Sequence, residues 1–107
     1  MHDYKYNAEY HSNLFCQQYK LNYRQSRYAR RGMTRGLDQL HTYHSKEEAF
    51  KDVRYSMVSA GIIGLILSAF VSALLNRLAQ MIVDYLWSNF PEAVSPNAPS
   101  TDQTITT

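Results

Sequence analysis

The chain reads as all-α: one long transmembrane helix over about 46–90, preceded by a basic, tyrosine-rich, partly helical arm and followed by a disordered tail. Three observations predict this. Residues 57–75, MVSAGIIGLILSAFVSALL, carry no ionisable side chain, and at 1.5 Å per residue they make a helix of about 28 Å, near the ~30 Å of a bilayer's hydrocarbon. Ser45 and Glu48 mark a helix start just before this run, and Pro91 marks a stop after it. Charge is also unevenly shared: residues 1–54 hold ten Lys or Arg against six Asp or Glu, whereas 76–107 hold Arg77 against Asp84, Glu92 and Asp102.

The first element is an arm over residues 1–44. Lys20, Arg24, Arg27, Arg31 and Arg35 recur every three or four positions, which on a helix makes one cationic face. A helix over 8–31 is predicted, with Gly32 as its C-terminal stop and Gly32–Gly36 as a joint. Seven of the nine tyrosines lie before residue 44. Tyr10, Leu14, Cys16, Gln17, Leu21 and Tyr28 form only a weak apolar side.

The second element is the long helix over 45–90. Ser45 and Glu48 form a capping box. The span covers 57–75, or reaches 87 if the helix is tilted. Ten Val, Ile, Leu or Phe in those 19 positions contribute about −3 to −6 kcal/mol to insertion, partly offset by three serines and two glycines. A buried helix in a monomer is the rival reading. The large aliphatics outside this region are few (Leu14, Leu21, Leu37, Leu40 and Val53), and a helix apolar on all sides needs a shell of partners. The sequence therefore favours lipid, with a helical oligomer in water as the alternative.

Within the long helix, Ala60, Gly64, Ser68 and Ser72 recur every four residues, with Gly61 beside them. In lipid such a stripe lets two helices approach closely, which predicts self-association or contact with other membrane subunits. Beyond it, Leu75, Leu78, Ala79, Ile82, Leu86 and Phe90 hold helical spacing on one side, and Arg77, Gln80 and Asp84 form a polar stripe. An intermolecular pair between Arg77 and Asp84 is one arrangement that would satisfy both. The third element, residues 91–107, has three prolines among small polar residues and reads as flexible.

The positive-inside tendency places the N-terminus in the cytoplasm or an equivalent interior, with the C-terminus across the membrane. Reaction chemistry is sparse. His41 and His44 have no further ligand at metal-binding spacing, Cys16 has no partner marking it as a nucleophile, and no phosphate-binding glycine loop is present. The expectation is a non-enzymatic protein without cofactor or metal. It would serve as an accessory subunit of a membrane complex or a membrane protein of a lipid-containing virion. Its arm would contact headgroups or a partner protein. The alternatives are a holin-like oligomeric pore lined by the Arg77–Gln80–Asp84 stripe and a membrane-tethered nucleic-acid binder.

Overall fold

Local capping explains where the chain turns. In the computed structural model, which describes residues 4–61 and 68–94, four α-helices follow one another: α1 (Ala8–Gln18), α2 (Tyr23–Asp38), α3 (Lys46–Gly61) and α4 (Ala69–Asn89). Asn7 caps α1 by accepting from the Tyr10 amide at 2.7 Å. The helix closes when the Lys20 amide reaches Gln17 O and the Leu21 amide reaches Cys16 O. That paired reversal puts Lys20 in the left-handed region, at φ 52°, where glycine is the usual occupant.

The chain restarts at once. Asn22 Oδ1 accepts from the Gln25 amide at 2.8 Å, and Gln25 Oε1 accepts from the Asn22 amide at 3.0 Å. This reciprocal cap begins α2. The single helix expected over 8–31 is therefore two helices with a four-residue turn between them. Gly32 is no stop: α2 runs through Gly32 and Gly36 to Asp38.

Both glycines are buried where α2 lies closest to α3 and α4. A Cβ on Gly32 would stand 2.8 Å from Ile82 Cδ1, 3.0 Å from Val53 Cγ1 and 3.1 Å from Met57 Sδ. One on Gly36 would stand 2.6 Å from Leu86 Cδ1. The small-residue spacing that admits close helix approach thus operates in α2.

α3 starts where the sequence predicts. The Glu48 amide donates to Ser45 Oγ at 3.1 Å, while Glu48 Oε1 accepts from the His44 amide at 2.7 Å, one residue earlier than in the standard box. α4 is capped by Ser68, whose Oγ accepts from the Val71 amide at 3.1 Å, and it ends at Asn89, just before Phe90 and Pro91.

The long helix over 46–90 is corrected. α3 and α4 lie antiparallel, as their partners show: Lys46 pairs with Asp84 at 3.5 Å, while Arg54 bonds Asn76 and reaches Ser72 Oγ at 2.8 Å. In one unbroken helix, residues 46 and 84 would be about 57 Å apart. Among the described residues no helix is long and apolar enough to cross a membrane. The transmembrane span at 57–75 or to 87, the integral-membrane placement and the N-in, C-out orientation fall with it. Residues 62–67 within that span lie outside the described residues.

The packing explains why the apolar count misled. Leu75, Leu78, Ala79, Ile82, Leu86 and Phe90 are buried, but against other parts of the same chain. Phe15, Met33, Leu37, Leu40, Tyr43, Ala49, Val53 and Met57 complete that core. Aromatic, Met and Ala side chains supply most of the area that a count of aliphatics omits. The N- and C-terminal ends of the described chain meet beside it. Lys5 pairs with Glu92 at 2.6 Å, the Tyr6 ring lies 5.3 Å from that of Phe90, and His41 Nδ1 donates to Ala93 O at 3.0 Å. Residues 91–94 form a turn with Ala93 buried, and the rest of the expected tail, 95–107, lies outside the described residues.

Candidate functional site

From Tyr10 to Leu37 the sequence contains Lys20, Arg24, Arg27, Arg30, Arg31 and Arg35 and no Asp or Glu. At 100° per residue, Arg30, Tyr23, Arg27, Arg31, Arg24 and Arg35 fall in that order across an arc of about 140° on α2. Gly32, Gly36, Ala29 and Met33 occupy the opposite side, which is buried. The burial of α2 therefore forces its arginines outward together. Lys20, Arg24, Arg27, Arg30 and Arg31 are all exposed, and none of these five forms an ion pair among the described residues.

Arg35 behaves differently. Its Nε donates to Asp52 Oδ2 at 2.9 Å and its Nη2 to Asp52 Oδ1 at 3.1 Å, a two-pronged bond joining α2 to α3. The Tyr43 hydroxyl donates to the same carboxylate at 2.5 Å. The Arg35 hydrogen bonds hold the Asp52 carboxyl below its ordinary range. Burial, and then the bond to Asp52, pushes the Tyr43 phenol far above its own. Hydrogen bonding to Asp52 also raises the Arg35 guanidinium. Arg35, expected with the free cationic residues, is thus a clamp between helices. Arg30 takes a place on the face instead. The every-three-or-four reading passed over it, although the same helical wheel places it beside Tyr23.

Two tyrosines lie on this surface. Tyr23 is 80 % exposed, and the Arg27 guanidinium stands 6.0 Å from its ring centroid. Tyr55, on α3, is 70 % exposed. It lines an open cleft of about 360 Å³ with Arg35, Lys51, Glu48 and the Tyr43–Asp52 pair. Through Arg35 the cationic face of α2 borders this cleft, which holds Lys51, the carboxylates of Glu48 and Asp52, and the exposed ring of Tyr55.

The other expected positions are dispersed. Ala60 and Gly61 form the last turn of α3, Gly64 lies outside the described residues, Ser68 caps α4, and Ser72 accepts from Arg54. They do not form one stripe, because two helices share them. In the polar stripe, Arg77 is exposed, and Asp84 accepts from Gln80 Nε2 at 3.3 Å and from its own chain's Lys46. That group lies on the outer surface of the α3–α4 pair.

Two further polar or reactive side chains lie in the core. His11 is only 8 % exposed: Nε2 donates to Lys5 O at 2.8 Å, and Nδ1 lies 2.8 Å from the Tyr85 hydroxyl. It is a satisfied core residue that holds α1 on α4, and nothing in its sequence neighbourhood announces Tyr85. Cys16 is a buried free thiol. Among the described residues no three His, Cys, Asp or Glu side chains are placed to share a metal ion.

Together these features define a small helical bundle with one cationic surface left open. No protein-family model, curated protein or solved structure matches the chain.

Proposed function

We propose that this protein acts by contact rather than by reaction, as a small assembly module that docks the arginine face of α2 on a polyanionic partner. One observation carries the reading: Arg24, Arg27, Arg30 and Arg31 are exposed on one side of α2, with Lys20 exposed in the turn before it, and none of the five forms an ion pair among the described residues. Like charges gathered without counter-charges repel one another, and a polyanion relieves that repulsion while releasing its own condensed counterions. Arginine suits the task, since its planar fork bonds phosphate or carboxylate two-pronged and keeps its charge at any physiological pH.

Immobilised heparin provides the test. Arg27→Gln and Arg77→Gln remove the same charge, but only Arg27 lies on the proposed face. The Arg27 variant should elute at distinctly lower salt than the parent chain, and the Arg77 variant close to it. Equal shifts for both would mean that net charge alone governs retention, and the reading would fail.

A further inference from the structure

We infer that the polyanion this face takes is a single-stranded nucleic acid, with its phosphates along Arg24, Arg27, Arg31 and Lys51 and its bases stacked on Tyr23 and Tyr55. This rests on the polyanion reading above and adds what the tyrosines imply. An acidic protein surface or a phospholipid headgroup also accepts exposed tyrosines but sets no alternation between them and the cations. Unpaired bases ask for cations interleaved with flat apolar rings, because backbone charge and base faces alternate along the strand.

The surface has that interleaving. The Tyr23 ring has no role in the core: it is 80 % exposed, and its neighbour is the Arg27 guanidinium, 6.0 Å from the ring centroid. Tyr55 is 70 % exposed on the neighbouring helix, in the cleft that also holds Lys51. An exposed aromatic contributes little to folding, since its apolar area stays in water. α2 and α3 run antiparallel, because Arg35 bonds Asp52 while Gly32 lies against Val53 and Met57. This puts Tyr55 near the level of Gly32, nine residues or about 14 Å along α2 from Tyr23. Arg27 and Arg31 occupy the interval between the two rings. No Asp or Glu lies between Tyr10 and Leu37, so the stretch of α2 from Tyr23 to Arg31 carries cations alone; at the Tyr55 end the Asp52 carboxylate is held by Arg35, and Glu48 lines the same cleft. Duplexes hide their base faces in the stack, so they offer the tyrosines nothing.

Fluorescence anisotropy of the full chain with a labelled thymidine oligomer of about fifteen nucleotides tests the inference. The matching duplex, heparin and vesicles of anionic phospholipid are measured in parallel. The oligomer should bind more tightly than its duplex. Tyr23→Leu and Tyr55→Leu should each weaken it about tenfold, within the range expected for losing one stacked base, and leave heparin binding unchanged. Tyr23→Trp should retain or strengthen it. Both tyrosines are exposed, so the thermal transition should stay in place and separate lost stacking from lost folding. If duplex or vesicles are preferred, or if the leucine variants bind the oligomer as the parent does, the single-strand assignment is wrong while the polyanion reading stands. If no polyanion binds, both are wrong.

Discussion

At Gly32, three side chains stand where a methyl group would go, and one of them, Val53, is stiff about its first torsion. At Gly36, the close contact is the far end of a single Leu86 side chain, with Val53 Cγ2 at 3.5 Å. Alanine gains about 0.5–1 kcal/mol of helix propensity at either site, whereas overpacking a filled core loses about 1–3 kcal/mol. Gly32→Ala is therefore expected to lower unfolding stability by about 1 kcal/mol, and Gly36→Ala to lower it less, as urea midpoints would show. The two substitutions should rank in that order even if both losses are small. From sequence alone these glycines read as a helix stop and a joint, because a glycine that ends a helix and one that lets two helices touch look identical along the chain. Lys20 shows the converse. A left-handed turn residue is anticipated at glycine, and a lysine there is invisible until the backbone is seen.

At the scale of the helices, caps were legible and partners were not. Ser45 with Glu48, and Pro91 after Phe90, act within a few residues, so their effect can be read locally. The Asn22–Gln25 box is equally local and was a missed signal that separates α1 from α2. The division of the expected long helix into α3 and α4 is another matter. An apolar run suits lipid and a packed core alike, and only what lies opposite decides between them. Here the opposite side is furnished by Phe15, Met33, Tyr43 and Met57.

The α2–α3 contact also carries a pH signature. Asp52 has a lowered folded-state pKa, so its contribution is present above the ordinary carboxylate range and is lost as pH falls through that lowered value. Tyr43 has a raised pKa, so its contribution is present below the ordinary tyrosine range and is lost as pH climbs above it. Asp52 is partly open to solvent, which keeps its effect modest, whereas Tyr43 is buried. Urea midpoints measured across pH should show a flatter acid limb for Asp52→Asn and a flatter alkaline limb for Tyr43→Phe. Unchanged limbs would mean that the cluster does not couple α2 to α3.

At the scale of the whole molecule, one chain resolves two demands at once. Its apolar side chains are spread over four helices whose inner faces meet, and that same burial turns the arginines of α2 to the outside. Core and face are thus two sides of one helix, and the bundle buries the one while leaving the other in water. The account accordingly stands or falls on the fold-back of α3 against α4. Spin labels at positions 46 and 84, introduced as Lys46→Cys and Asp84→Cys with Cys16→Ser, measure it by pulsed dipolar spectroscopy. The Lys46–Asp84 pair is exposed, so its loss should leave the bundle intact. A short separation, a small fraction of the helix's full length, is the predicted result. A distance near 57 Å, the length of an unbroken helix between those positions, would contradict it.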